Sequence, residues 1–422
     1  MQTLKILLLV GSLYFPALAL AITAITADRL VDVEAGTLVN NAVVIIDGNT
    51  IIEVGKASQV AIPADAKVIN LGDSTLMPGL MDMHVHLTSD AGVHGYNRLS
   101  VSLPDATITG VTNAQKTLMA GFTTVRNVGA PGFADVALKN AIKKGKVDGP
   151  RMFVSGPSIG VTGGHCDNNL LPYLYKNFSE GVADGPWKVR EKVRHNIKYG
   201  ADVIKYCATG GVLSKGTKVG VQQYTYEEMK ALVEEAHMRG LTVATHAHGT
   251  SGIKTAIRAG VDSAEHVSLL DDEAIALALE KGTYFSMDIY VTEYILGEGE
   301  KAGILQESLD KERVVGKTQR DNFKKAVDAG VNMVFGSDAG VYPHGQNGRQ
   351  FARMVNFGMS PMQAIQAATI NTANLLKQDK IGSIASGKYA DIVAVKGNPF
   401  SDMSVMEDVS FVMKNGKIYK NK

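Results

Sequence analysis

His84 and His86 stand one residue apart at the end of the run MPGLMDMHVHL. Alternate residues of an extended strand face the same side, so the two imidazoles point together. Taken alone, the pair reads equally well as metal ligands or as two core histidines. Four further residues have the chemistry to join them: Lys205 in DVIKYCATGG, His246 in LTVATHAHG, His266 in DSAEHVS and Asp338 in NMVFGSDAG. Imidazoles and a carboxylate suit a borderline metal such as zinc. Lys205 is out of place in that set, because an ammonium repels a cation. The conflict disappears if its amine has reacted with CO2 to form a carbamate, an anionic group able to bridge two divalent ions. The alternative is a lysine paired with a neighbouring acid. Two ions held roughly 3.5–4 Å apart would make a shared hydroxide nucleophilic near neutral pH.

Residues so far apart in sequence need a fold that gathers them. Eight short apolar or β-branched runs, from GLMDMHVHL to NMVFGSDAG, alternate with helix-like stretches, several ending in Gly. That alternation predicts an α/β chain with a (β/α)8 TIM barrel over residues 77–376. Such a barrel collects the carboxyl ends of its strands on one face, and four of the ten histidines sit at those ends. Residues 22–76 and 377–422 are rich in strand and turn signals, and are expected to form a small flanking β-sandwich from both termini. The Gly- and Glu-rich segment 289–317, long and with helix-like patches, follows the seventh strand as either a lid or specificity loop or a surface excursion.

Bulk properties narrow the partners. With 43 basic and 42 acidic residues, the 422-residue chain has no electrostatic footprint for nucleic acid. A small-molecule or short-peptide substrate fits better, with assembly into a homo-oligomer left open. The N-terminus reads as a secretory signal over residues 1–21: MQTLK, an apolar stretch, then Ala19-Leu20-Ala21. The mature chain is therefore expected to be exported, periplasmic or secreted, with no membrane span. Cys166 and Cys207 are the only cysteines; Cys207 lies beside a candidate site residue, and two free thiols are expected.

Taken together, MPGLMDMHVHL, GFTTVRNVG, VIKYCATGG, VATHAHG, SAEHVS, VFGSDAG and SGKYADIVAVKGNP resemble the amidohydrolase superfamily. TGGHCD, IKYCATGGV and HAHG resemble its prolidase-like branch of metal-dependent Xaa-Pro or Arg/Lys dipeptidases and carboxypeptidases, with relatives that hydrolyse ochratoxin-type amides. The resemblance spans nearly all of the chain after residue 21. It implies His84, His86 and Asp338 on a buried metal, His246 and His266 on a second, and carbamylated Lys205 bridging both. It also implies Asp338 as the proton carrier between water and leaving amine. His165, in VTGGHCDNN, would contact substrate; His248 shares the parity of His246 and would face substrate from further out; Tyr224 is a candidate carboxylate contact. Asn127 departs from the Asp that relatives often carry, which leaves Arg126 readable as a structural arginine. His94, His195, His237 and His344 are read as bystanders, and Asp167 either attracts a basic substrate side chain or simply forms a turn.

The leading expectation is a binuclear hydrolase cleaving C–N bonds of dipeptides or N-acyl amino acids by a metal-bridging hydroxide. A deaminase or imidazolonepropionase-like enzyme is disfavoured by Lys205 and by the lack of Glu in VATHAHGTSG. Lactonase or phosphotriesterase chemistry on the same barrel is a further alternative, and a non-catalytic binding barrel a remote one.

Overall fold

The strand-like texture at the two ends of the chain becomes a single sheet. In the computed structural model, which describes residues 22–422, the N-terminal strands are β1 (Thr23–Asp32), β2 (Thr37–Asp47), β3 (Thr50–Lys56), β4 (Lys67–Asn70) and β5 (Ser74–Pro78). The expected signal peptide, residues 1–21, lies outside the described residues. Eight strands follow in the middle of the chain: β6 (Leu80–Val85), β7 (Phe122–Asn127), β8 (Arg151–Val154), β9 (Val203–Cys207), β10 (Thr242–Ala247), β11 (Ser263–His266), β12 (Tyr284–Ser286) and β13 (Met333–Val334). The last three are β14 (Ile392–Lys396), β15 (Val409–Lys414) and β16 (Lys417–Asn421).

The terminal sheet runs β16-β15-β14-β5-β1-β2-β3, with β4 added alongside β1. Its join is the antiparallel pairing of β5 with β14, in which Met77 opposes Val393. Residues two apart share a face: Val44 and Ile46, Ile392 and Ala394, and Phe411 and Met413 meet in one buried cluster with Ile25 and Leu76. The alternate residues Val393, Val395 and Val412 belong instead to the main core. Both faces of β14 and β15 are thus covered, which is why these strands read as nearly continuous apolar runs.

In the middle of the chain, β6-β7-β8 and β9-β10-β11-β12-β13 form two parallel sheets. Backbone hydrogen bonds tie their edges at both seams. Ile159 N–H donates to Lys205 O at 2.8 Å and Cys207 N–H to Ile159 O at 2.9 Å. On the other side, Met83 N–H donates to Phe335 O, Asp338 N–H to His84 O and His86 N–H to Ala339 O, each at 2.8 Å.

The intervening helices start and stop where their sequences say. Thr225 and Glu228 form a reciprocal capping box at the start of Tyr226–His237, whose Met229, Leu232, Val233 and Ala236 make the buried stripe. Asp271 caps Asp272–Lys281, and left-handed Gly282 ends it.

The helix-like patches of segment 289–317 are full helices, so the segment is more regular than a loop. It contains the helix Val291–Glu298 and the first half of a 23-residue helix, Gln306–Asp328. The inward stripe of the longer helix includes Ser308, Glu312, Gln319 and Asn322, so its buried face carries polar residues. Two of them have partners on the strand side, Gln319 at His266 O and Asn322 at Ser268 O. A buried face made of hydrogen-bonding groups hides helical periodicity from a hydrophobic pattern. Among the described residues, no helix is long and apolar enough to cross a membrane.

Candidate metal centre

Five of the six candidate ligands lie at or just beyond the carboxyl ends of parallel strands, His84 and His86 at β6, His246 on β10, His266 closing β11 and Asp338 after β13, whereas Lys205, expected to end its strand, sits in the middle of β9. The ladder between β6 and β7 slips register between Asp82 and Val85, and this irregularity falls at His84. Gly336 leaves room there, because a side-chain carbon at that position would come within 3.1 Å of His84 Cβ and 1.9 Å of Ser286 Oγ. His266 and Asp338 both have left-handed backbones, with φ of 69° and 58°. Non-glycine residues adopt that conformation at a cost of about 1–3 kcal/mol, and it concentrates where a side chain must be aimed.

Three groups of ligand atoms converge: His84 with His86 and Asp338; His246 with His248 and His266; and His266 with Asp288 and Asp338. Asp338 Oδ1 lies 3.4 Å from His84 Nε2 and 3.3 Å from His86 Nε2. The His84 and His266 rings are 4.9 Å apart between centroids, which brings the groups into one site. Within it, Lys205 Nζ and His246 Nε2 are buried without any hydrogen-bond partner. Buried polar atoms are ordinarily satisfied, and orphans of this kind mark a missing ion or a functional group. Imidazoles and carboxylates whose ligand atoms converge within 4.8 Å of one another, with a buried unpartnered amine beside them, fit divalent metal ions.

Burial shapes the charge states. It pushes the His84 imidazole down to about 4 and the Lys205 amine down to about 8. His246 and His248 are held well below the usual imidazole range, again mainly by burial. Neutral imidazole is the form that binds a metal. Burial would raise the Asp338 carboxyl, but His84 and the neighbouring imidazoles outweigh it and hold it well below the ordinary range. For His266, burial works downward while the Asp288 carboxylate more than reverses it.

The structure also supplies residues that the sequence reading overlooked. Asp288, two residues past β12, accepts from His266 Nδ1 through both oxygens at 2.9 and 3.0 Å. That contact leaves Nε2 free for an ion, the usual arrangement of a ligating histidine. Asp288 could have been suspected from its place after the seventh strand in YFSMDIY. Glu265 pairs with Arg126 at 2.7 Å and places its other oxygen 3.4 Å from His84 Nδ1. Arg126 also donates to Met83 O and Ser263 Oγ and is fully buried, so it is a structural arginine. Asp82 accepts from the backbone N–H of His84 and of Ser337, and from Asn347 Nδ2. It thereby fastens the His84 strand to the turn that carries Asp338.

The expected substrate contacts divide. His165 lies at the site: its ring stacks on His246 with centroids 3.9 Å apart, and Nδ1 is 2.8 Å from Ser214 Oγ. His248 is within ligand distance of His246 and His266, and its Nδ1 is 2.8 Å from Ser268 Oγ. Tyr224 is buried in the main core and its hydroxyl donates to Ala183 O at 2.7 Å, a packing position. Asp167 is a turn former, accepting from the backbone N–H of Gly163, Asn168 and Ser179. Of the histidines read as bystanders, His344 is buried and 2.9 Å from Thr117 Oγ1, and His94 is 3.0 Å from Val341 O. The expectation of free thiols is overturned: Cys166 and Cys207 form a disulfide with their Cα atoms 6.0 Å apart. The sequence separation of 41 concealed this pairing, because only the fold brings the loop after β8 over the end of β9.

Residues 75–419 match the amidohydrolase family, and the chain belongs to it. It is a hydrolase acting on C–N bonds, of the prolidase-like branch. The ochratoxinase of Aspergillus niger is 33% identical over 414 residues, covering 91% of this chain and 84% of the fungal protein. A solved Xaa-Pro dipeptidase with methionine bound in its active site is similar with a TM-score of 0.90 and 41% identity, over 95% of this chain and 100% of that one. A prolidase complexed with N-methylphosphonate-L-proline is similar with a TM-score of 0.85 and 30% identity, over the same shares.

Proposed function

We propose that this protein is a two-metal amidohydrolase that cleaves dipeptides or N-acyl amino acids, with both ions bound at the carboxyl ends of a closed (β/α)8 barrel. The observation that carries this reading is the unpartnered, buried Lys205 amine among converging imidazoles and carboxylates. The hydrogen bonds at both seams between the parallel sheets support the closed barrel over 77–376. The buried cluster shared by β1, β2, β14 and β15 supports a sandwich from residues 22–76 and 377–422. His84, His86 and Asp338 would hold one ion, His246 and His266 the other, with Lys205 as a bridging carbamate. Zinc is the ion that this donor set favours.

Bound there, the metal pair would supply Lewis-acid activation of water and of the scissile carbonyl. The residues do the rest. Asp338 takes a proton from the attacking water and delivers it to the departing nitrogen, so that water adds across the C–N bond to give an acid and an amine. Asp288 holds the His266 ring in place through Nδ1. His165, stacked on His246, orients the substrate carbonyl or carboxylate at the mouth of the site. The likeness to a Xaa-Pro dipeptidase, a prolidase and ochratoxinase points to substrates with an amide next to a free carboxylate. Export to an oxidising compartment accompanies this reading, supported by the disulfide and by the leader-like residues 1–21.

Metal analysis of the purified protein together with a panel of Xaa-Pro, Xaa-Arg, Xaa-Lys and N-acyl aromatic amino acids tests the proposal. The expected result is about two equivalents of zinc and turnover on one of these classes. A metal-free protein that stays inactive after reconstitution sinks it.

A further inference from the structure

The Cys166–Cys207 disulfide is placed where it acts on the site and not only on the fold. Cys207 is the last residue of β9, two positions beyond Lys205, and alternation puts both side chains on the same face. Cys166 directly follows His165. The bond therefore ties the loop bearing His165 to the strand bearing Lys205. Space around it is tight: a side-chain carbon on Gly160 would come 2.6 Å from Cys166 Cβ. One on Gly211 would come 2.4 Å from His165 Cε1 and 2.7 Å from His246 Cε1. Two glycines thus leave room for the bond and for the stacked pair of imidazoles.

The remaining anchors of the His165 side are neutral and few. Its backbone N–H donates to Gln223 Oε1 at 3.0 Å, and Nδ1 meets Ser214 Oγ at 2.8 Å. The other bonds of the loop run within it or to the segment 179–184: Gly163 to Asp167, Asn169 to Gly163 and Gly164, Ser179 to Asp167 and Thr162 to Asp184. They shape the turn without fixing it over β10. Cys207 is buried, whereas Cys166 is only half-buried, so a small reductant can reach the bond.

We propose that this disulfide is a positioning device for His165, setting its ring on His246, and that reducing the bond slackens substrate binding while the metal centre stays assembled. The inference rests on the two-metal hydrolase reading and on His165 as a substrate contact. Reduction by a phosphine breaks the one S–S bond and forms two thiols. The phosphine is oxidised to its oxide, with water supplying the oxygen and the two protons. A phosphine is also the right probe because dithiols would compete for zinc.

The test compares the oxidised protein, the same protein treated with phosphine, the Cys166→Ser variant and the His165→Asn variant with and without phosphine. Thiol labelling and mass spectrometry follow the bond, and metal content is measured throughout. Reduction and Cys166→Ser should each raise KM about tenfold, the scale of one well-placed hydrogen bond, with kcat changed less and metal retained. His165→Asn should show a similar loss and no further loss on reduction, because the bond acts through that side chain. An equal extra loss in His165→Asn, or unchanged kinetics with both thiols free, overturns the proposal. Hydrogen exchange over residues 160–169 reads the positioning without turnover: reduction should accelerate it, and an unchanged rate again overturns the proposal. A protein inactive on the whole substrate panel, yet showing that acceleration, would refute the hydrolase reading and leave the loop tether standing.

Discussion

Replacing Asp288 by asparagine isolates the group that aims His266. The carboxylate accepts from Nδ1 through both oxygens, is itself buried, and is steadied by Gln319 Nε2 at 3.2 Å. Asparagine keeps the volume but offers one neutral acceptor and turns an amide toward the ring. A charge-assisted hydrogen bond in such surroundings contributes about 1.5–3 kcal/mol. Partners of ligating histidines are worth about 10–100-fold in metal affinity, which matches that range. Asp288→Asn should therefore weaken the ion proposed for His246 and His266 by about 10–100-fold and leave the ion proposed for His84, His86 and Asp338 nearly unchanged. Competition against a chromophoric chelator, followed as a two-step release, measures both. Release of both equivalents at the wild-type chelator concentrations would refute the assignment of Asp288 as the orienting group.

Other substitutions give equally direct outcomes. Lys205→Ala should lower kcat by orders of magnitude and cost metal stoichiometry, both read on the same preparation. Arg126→Met strands the Glu265 charge in the interior and should destabilise the protein by about 3–5 kcal/mol in urea unfolding, with Arg126→Met/Glu265→Leu recovering much of the loss. Tyr224→Phe removes only the bond to Ala183 O, so it should cost about 1 kcal/mol and leave kcat/KM unchanged. Burial pushes the Glu312 carboxyl up to about 6, with Asp288 adding to the rise and Thr292, His266 and Arg320 opposing it. A carboxyl raised in the native state favours folding below its unfolded value, and that advantage is lost as pH rises through 6. Relative to Glu312→Gln, the wild type should therefore lose about 2 kcal/mol between about pH 3 and 7.5, of which about 1 kcal/mol falls between pH 4.5 and 6, measured as the difference in unfolding free energy.

What could be read from the sequence follows from where each signal resides. Strand positions announce themselves locally: a β-branched run ending in His or Asp marks both an element and the residue at its carboxyl end, as in VATHAHG and VFGSDAG. Asp288 escaped because β12 is only three residues long and its aspartate lies two positions beyond, in what looks like ordinary loop. Glu265 was hidden beside His266, since adjacent strand residues are expected to face opposite sides. The left-handed φ of 69° at His266 changes the direction of the chain there. The first half of the helix Gln306–Asp328 was obscured by its polar buried stripe, and the disulfide by a sequence separation that only tertiary structure spans.

The antiparallel join between β5 and β14 sets an order on biogenesis. Strands β1 to β5 and every candidate metal ligand are synthesised before β14 exists. Until β14 arrives, β5 presents an open edge of hydrogen-bonding groups flanked by Leu76 and Met77, both fully buried in the finished protein. Open apolar edges are templates for pairing between chains, and contacts so distant in sequence form late. A chain cut short before Ile392 would carry a complete set of metal-binding side chains and still be prone to aggregate. β14 acts as a quality seal: the exposed edge of β5 closes only when that late strand has folded back onto it.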